Sequence, residues 1–193
     1  LTAIQFHDVG NILGRRRHGL NADKIMSDMD LLAGTESVEK RWIRDIAKAH
    51  SSDGGDKDTI SKLPPIEPVL GFNIRMQLLA SILKLADELS DDKDRAARYL
   101  MKKKKIPEKS EIHHKFAAGL HSVMIDHIGR EVNLHFAIPT EDFLSKLGKG
   151  KKKAYLLDEI FERTLKTHLE RIYCSRFMRP DIQLDSINVK VII

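Results

Sequence analysis

The segment from Phe72 to Leu89 constrains this chain most. It is nearly all apolar and carries Leu78, Leu79, Ile82, Leu83, Leu85 and Ala86. A helix with so little polar surface belongs at the centre of a bundle, covered by other helices. Asp87 lies within this segment, flanked by Leu85, Ala86 and Leu89. A carboxylate at least half-buried among such neighbours is costly unless a cation offsets it. Lys84 or Arg75 could serve as an ordinary ion-pair partner. A bound metal ion is the alternative.

The rest of the chain supplies the covering helices. Residues Leu1 to Leu13 read as a helix, with Ile4, Val9, Ile12 and Leu13 apolar, broken by Gly14 and the run Arg15, Arg16, Arg17. Leu20 to Leu32 place Ile25, Met29 and Leu32 on one helical face. A third helix starts from a cap at Thr35 or Ser37 and runs to about Ala49, with Val38, Trp42, Ile46 and Ala49 inward. The polar stretch His50 to Lys57, followed by Pro64, Pro65 and Pro68, is the longest irregular segment; such loops are commonly lids or disordered. Helical residues return from Asp91 to about Met101 and from Glu108 to Leu120.

The hydrophobic period then changes from 3.6 to 2. Val123, Ile125 and His127 alternate with Met124, Asp126 and Ile128; after a turn at Gly129-Arg130, Val132, Leu134 and Phe136 alternate again. Pro139-Thr140 starts a short helix to about Leu147. A lysine-rich loop leads into a long helix from Ala154 to about Cys174, and Ile187 to Ile193 reads as a third strand. An isolated hairpin is marginal in water, so this last strand is expected to pair with it. The expected class is mostly α: a helical bundle over residues 1–120, then a C-terminal α+β appendage over 121–193 packed on it. The appendage holds the long helix and a small antiparallel element made of the hairpin and last strand.

Composition narrows the setting. The chain has 193 residues, enough for one domain or a domain with an appendage. No apolar run approaches the roughly 20 residues of a membrane span, so no membrane partner is expected. The single cysteine, Cys174, makes an internal disulfide impossible and points to a cytoplasmic, reducing compartment and a packing role. The formal charge of +5 suggests an anionic partner. Lys102 to Lys105 and Lys149 to Lys153 read first as solvated loops, and no basic-aromatic alternation marks a stacking platform for single strands.

Five polar residues sit at the ends or in the interior of these helices: His7, Asp8, His18, His50 and Asp87. Each has an ordinary reading. His7 can be a core histidine satisfied by a backbone carbonyl, Asp8 a helix-end residue, and His18 and His50 helix termini. The five together are harder to dismiss. Their order resembles the HD superfamily of metal-dependent phosphohydrolases. Phe6-His7-Asp8-Val9-Gly10 is similar to that family's LHDIG string, and Ile82-Leu83-Lys84-Leu85-Ala86-Asp87 to its ILRLAD string. His50 to Gly55 loosely resembles the His-then-Asp-Gly loop of the two-metal cyclic-dinucleotide phosphodiesterases. The hairpin, long helix and last strand resemble the β appendage of HD proteins found beside conflict-system effectors and heat-shock-type ATPases.

The resemblance implies an HD-type bundle holding one or two divalent transition metals. Mixed imidazole and carboxylate donors suit Mn, Fe, Zn, Co or Ni. It implies metal ligation by His7, Asp8 and Asp87, joined by His18 and His50; catalytic roles for Asp8, His18 and His50; and phosphate contacts from Arg15, Arg16, Arg17 and Lys57. The implied chemistry is hydrolysis of a phosphate ester, of a nucleotide or cyclic nucleotide. The competing readings are a non-catalytic nucleotide-sensing or regulatory module and an HD-type nuclease. The expected partner is a phosphorylated small molecule, with nucleic acid less favoured. A fused or associated effector domain and a homo-oligomer are also expected possibilities.

Two departures bear on activity. HD proteins usually carry another metal-binding His on a helix upstream of the His-Asp pair. The chain starts at Leu1, which is not methionine, so the expectation is that this ligand was lost by truncation and that the truncated chain could be inactive. The Lys that usually follows LHDIG is Asn11 here; a nearby arginine would have to take its phosphate contact.

Overall fold

A computed structural model describes residues 2–13, 18–28, 34, 37–51, 57–90, 103 and 106–193. Arg15, Arg16 and Arg17, the Asp53-Gly54-Gly55 stretch and the helix expected over Asp91 to Met101 lie outside the described residues.

The chain divides into two compact units, one of residues 1–86 with 176–179 and one of residues 87–175 with 180–193. The first begins with a short helix α1 (Thr2–Phe6), a turn at His7-Asp8 and a 3-10 turn (Val9–Leu13). Helices α2 (His18–Asp28) and α3 (Ser37–Ala49) follow. Ala22, Met26 and Ala47 form a buried cluster against which Ala3, Phe6 and Val9 pack, so the four N-terminal elements share one small core. Trp42 is half-buried, whereas Val38, expected inward, is exposed. Two short strands, β1 (Glu67–Val69) and β2 (Phe72–Ile74), make an antiparallel hairpin, and α4 (Met76–Glu88) follows. Met76, Leu78, Leu83 and Leu85 of α4 are buried, as expected of the most apolar helix.

The second unit holds α5 (Glu111–Gly119), β3 (Leu120–Asp126), β4 (Glu131–Ala137), α6 (Thr140–Leu144), β5 (Lys146–Lys149), β6 (Lys152–Tyr155), the main part of α7 (Leu156–Met178) and β7 (Ser186–Ile192). Its core is built from Ile112, Val132, Phe136, Leu156 and Cys174, with the rings of Phe116 and Phe136 5.3 Å apart. Cys174 is buried and not disulfide-bonded. Among the described residues no helix is long and apolar enough to cross a membrane.

The mostly-α expectation is overturned. The described residues contain seven strands in three separate sheets, which makes the chain a mixed α and β structure. The C-terminal element is also not wholly antiparallel. β3 pairs β4 antiparallel, but β7 pairs β4 in parallel, in the order β3-β4-β7. The physical reason is the connection: parallel neighbours need a long crossover, and α7 supplies it between β4 and β7. The helix expected from Phe72 starts four residues later, because Leu70 and Gly71 take positive φ values of 50° and 84° and turn the chain back into β2. The lysine-rich loop is the β5–β6 hairpin, with Gly150 at φ 63° in its turn.

Candidate metal centre

The site is assembled by the N-terminal turn and the end of α3. α1 stops at Phe6, and the Asn11 N–H closes on the Asp8 carbonyl at 2.9 Å, which fixes the turn that projects His7 and Asp8. Gly10 makes this turn compatible with α2. A Cβ built at Gly10 would overlap the His18 carbonyl and lie 2.5 Å from the Ala22 nitrogen. Only glycine lets the turn approach the α2 backbone this closely, and that approach brings Asp8 to His18.

His50 follows the last residue of α3 and is held from several directions. Its side chain is 2% exposed. Its Nδ1 meets the Ala47 carbonyl. Its own carbonyl accepts a hydrogen bond from the Lys84 ammonium at 2.9 Å, and the preceding Ala49 carbonyl accepts one from the Thr59 hydroxyl at 2.6 Å. Lys84 is buried in α4, so an apolar helix spends its one ammonium on fixing this loop.

Three imidazoles surround the Asp8 carboxylate. His7 Nε2 lies 3.7 Å from one carboxylate oxygen; His18 Nε2 and His50 Nε2 lie 3.7 and 3.8 Å from the other. His18 and His50 Nε2 are 3.2 Å apart. The His7 and His50 rings meet edge to face with centroids 4.9 Å apart. One donor atom each from His7, Asp8 and His50 all fall within 4.8 Å of one another.

These spacings bear on two kinds of site. A histidine-carboxylate hydrogen bond needs about 2.7–3.2 Å, and the three nitrogen-oxygen distances exceed that. Two ligands on one ion, each about 2.1 Å from it, stand roughly 3.0–3.4 Å apart for octahedral or tetrahedral angles. The three nitrogen-oxygen distances exceed that edge by a few tenths of an ångström, and the His7, Asp8 and His50 donors lie within 4.8 Å of one another, so an ion would draw these side chains closer. The tautomers agree. A carbonyl only accepts, so the Ile4 carbonyl 2.6 Å from His7 Nδ1 and the Ala47 carbonyl at His50 Nδ1 both place the proton on Nδ1. A ring held by Nδ1 in this way turns its Nε2 inward toward Asp8, which is the orientation a metal ligand requires. The donor set fits a divalent transition metal.

His18 and Asp8 have side chains 23% and 35% exposed, so the centre is open to solvent on one side. Asp87 lies in the last turn of α4 and is half-buried. It stands outside the group of three donors within 4.8 Å. Lys57 is exposed and Asn11 is exposed. Sequence reasoning missed Gly10 and Lys84 as positioning residues. Both left a signal: a glycine two positions after the His-Asp pair, and a lysine buried in the same apolar helix whose aspartate drew attention.

The HD-CE family model matches residues 1–166 of the chain. No curated protein and no solved structure matches it.

Proposed function

The chain belongs to the HD-CE family and carries an HD-type domain, and from that premise we propose that it is a metal-dependent phosphohydrolase acting on a phosphate ester of a nucleotide or cyclic nucleotide. The observation that carries the reading is the gathering of the His7, His18 and His50 Nε2 atoms around the Asp8 carboxylate, with one donor each from His7, Asp8 and His50 within 4.8 Å of one another.

His7, Asp8 and His50 would hold the ion, with His18 and Asp87 as further ligands to it or to a second one. Mn, Fe, Zn, Co and Ni all suit such donors. A bound ion supplies a water of lowered pKa and neutralises charge on phosphoryl oxygens. The side chains do the rest. Asp8, with two oxygens, can bridge two positions or take a proton from the attacking water. His18, at the solvent side of the cluster, can donate a hydrogen bond or a proton to the departing oxygen. His50, held by Ala47, Lys84 and His18, keeps the cluster rigid. Lys57 and the Arg15–Arg17 run are proposed to draw the anionic substrate toward the open side.

A regulatory reading has one observation in its favour. Asn11 stands where the HD resemblance calls for a phosphate-contacting lysine, and it is exposed. In that reading the domain binds a phosphorylated ligand without turnover and signals to a fused or associated effector, as the resemblance to the conflict-system and heat-shock-ATPase branch suggests. A cytoplasmic setting suits either reading. An HD-type nuclease is the third.

The test is a screen of nucleotides and cyclic nucleotides for phosphate release with Mn, Ni, Co and Zn. Metal-dependent release, lost in Asp8→Ala and His50→Ala, supports the enzyme. Tight binding without release supports the sensor. Cleavage of DNA or RNA in place of nucleotides supports the nuclease.

A further inference from the structure

The second unit has an open cleft of about 510 Å³ between the β5–β6 hairpin and the first turns of α7, lined by Lys149, Lys152, Lys153, Ala154, Asp158, Phe161 and Glu162. The hairpin runs Lys-Leu-Gly-Lys-Gly-Lys-Lys-Lys-Ala-Tyr from Lys146 to Tyr155 and carries no acidic residue. Phe161 comes from the facing helix and is 70% exposed. Its ring lines the cleft together with the hairpin's ammonium groups. The chain sequence shows no basic-aromatic alternation; folding creates one by bringing α7 against the hairpin.

The two carboxylates of the cleft are already engaged. Glu162 is bound by Lys149, and Asp158 accepts the Tyr155 N–H at 3.3 Å. Lys149 is also anchored by the buried Glu159 at 2.8 Å, so it braces the hairpin against the helix. Lys153 reaches Glu108 at 3.0 Å, but both side chains are more than 60% exposed, a pairing that an incoming phosphate can replace at little cost. Lys152 and its neighbour Lys151 are exposed. Tyr155 is also exposed and has Lys146 over its ring at 5.2 Å.

We infer that this cleft binds single-stranded nucleic acid, with Lys152 and Lys153 contacting phosphates and Phe161 as a base-stacking platform. A groove of cations with an aromatic ring at its wall is the arrangement by which proteins hold single strands without reading sequence. The site lies wholly within the second unit and does not depend on the hydrolytic reading.

The experiment is fluorescence anisotropy of the 193-residue chain with labelled 15-mers of dT and of U, at increasing NaCl, with ATP as competitor. Phe161→Ala is expected to weaken binding about 5-fold to 150-fold, because one base-aromatic stack is worth about 1–3 kcal/mol. Phe161→Tyr is expected to keep it. Lys152→Glu with Lys153→Glu is expected to reduce the slope of log affinity against log salt by about 1.4 in magnitude, two phosphate contacts at about 0.7 each. Lys190→Glu, the same charge change at an exposed residue of β7, is expected to leave binding within about twofold. Circular dichroism confirms that each variant folds. The inference is overturned by no binding at low salt, or by an equal loss in Lys190→Glu. It is also overturned if Phe161→Ala binds like wild type, or changes only the sedimentation of an oligomer. Competition by ATP at the oligonucleotide's own affinity would make this a mononucleotide site and likewise overturn it.

Discussion

Replacing Gly10 by alanine tests whether the His-Asp turn depends on backbone contact with α2. The added Cβ would overlap the His18 carbonyl and sit 2.5 Å from the Ala22 nitrogen, and both atoms are rigid helix backbone. Ordinary contacts to carbon begin near 3.5 Å, so turn and helix must separate by about 1 Å or more. Forced overpacking of this kind costs about 1–3 kcal/mol, and a backbone obstacle belongs at the upper end. For a chain of this size that is a fall in Tm of roughly 5–10 °C. The same movement carries His18 and Ala22 away from Asp8. The His18-Asp8 spacing of 3.7 Å would widen further, so metal affinity should fall at least tenfold. Gly71→Ala supplies the control. Gly71 has φ 84° and nothing within 4 Å of a built Cβ, so alanine there is strained by about 1 kcal/mol but does not touch the site. Thermal melts and calorimetric titration with Mn on both variants give the two quantities. A Gly10→Ala chain that melts and binds metal like wild type, or like Gly71→Ala, would refute the reasoning.

Further outcomes follow from other contacts. Lys84→Met leaves the His50 carbonyl without its ammonium donor and should cost about 2 kcal/mol, with a roughly tenfold loss of metal affinity in the same titration. Burial raises the Glu159 pKa, but hydrogen bonds from Lys149, Arg163 and His113 outweigh it and leave the pKa lowered from 4.5. Its contribution is therefore present above pH 4.5 and lost as pH falls through the lowered value. Glu159→Gln should cost about 2 kcal/mol at pH 7 and flatten the acid limb of a denaturation-against-pH series. The Lys149 pKa is raised from 10.5 by Glu159 and Glu162, so its contribution holds below that value and disappears as pH rises through the raised one. Asp87→Ala should weaken metal binding, whereas Asp126→Ala, which removes an acceptor for the Ile128 and Gly129 N–H groups of the β3–β4 turn, should not. Equal effects of the two would remove Asp87 from the proposed ligand set.

Much of the site was legible before the fold. His7, Asp8, His18 and His50, which the sequence singles out, lie together because each sits at or beside the end of a helix. Lys84 was legible in principle, since a cation in an oily helix raises the same question as Asp87. The strands were legible where side chains alternate, as in β3, β4 and β7. They were not legible where other forces set the backbone. β1 contains Pro68, which a two-stranded edge hairpin tolerates and a strand pattern does not show. β5 and β6 are rich in lysine and glycine, residues of low β-propensity, and are fixed by Lys149 bonding to Glu159 and by packing of β5 on α5. The parallel β4–β7 pairing depends on the direction of the α7 crossover, which no local periodicity encodes.

The most direct measurement is equilibrium dialysis of the chain against Mn or Ni, with elemental analysis of wild type, His50→Ala and Asp8→Ala. One or two ions retained per wild-type chain, and loss of that metal in both variants, is the predicted result. Equal retention in all three, or none in any, would contradict a metal centre at Asp8.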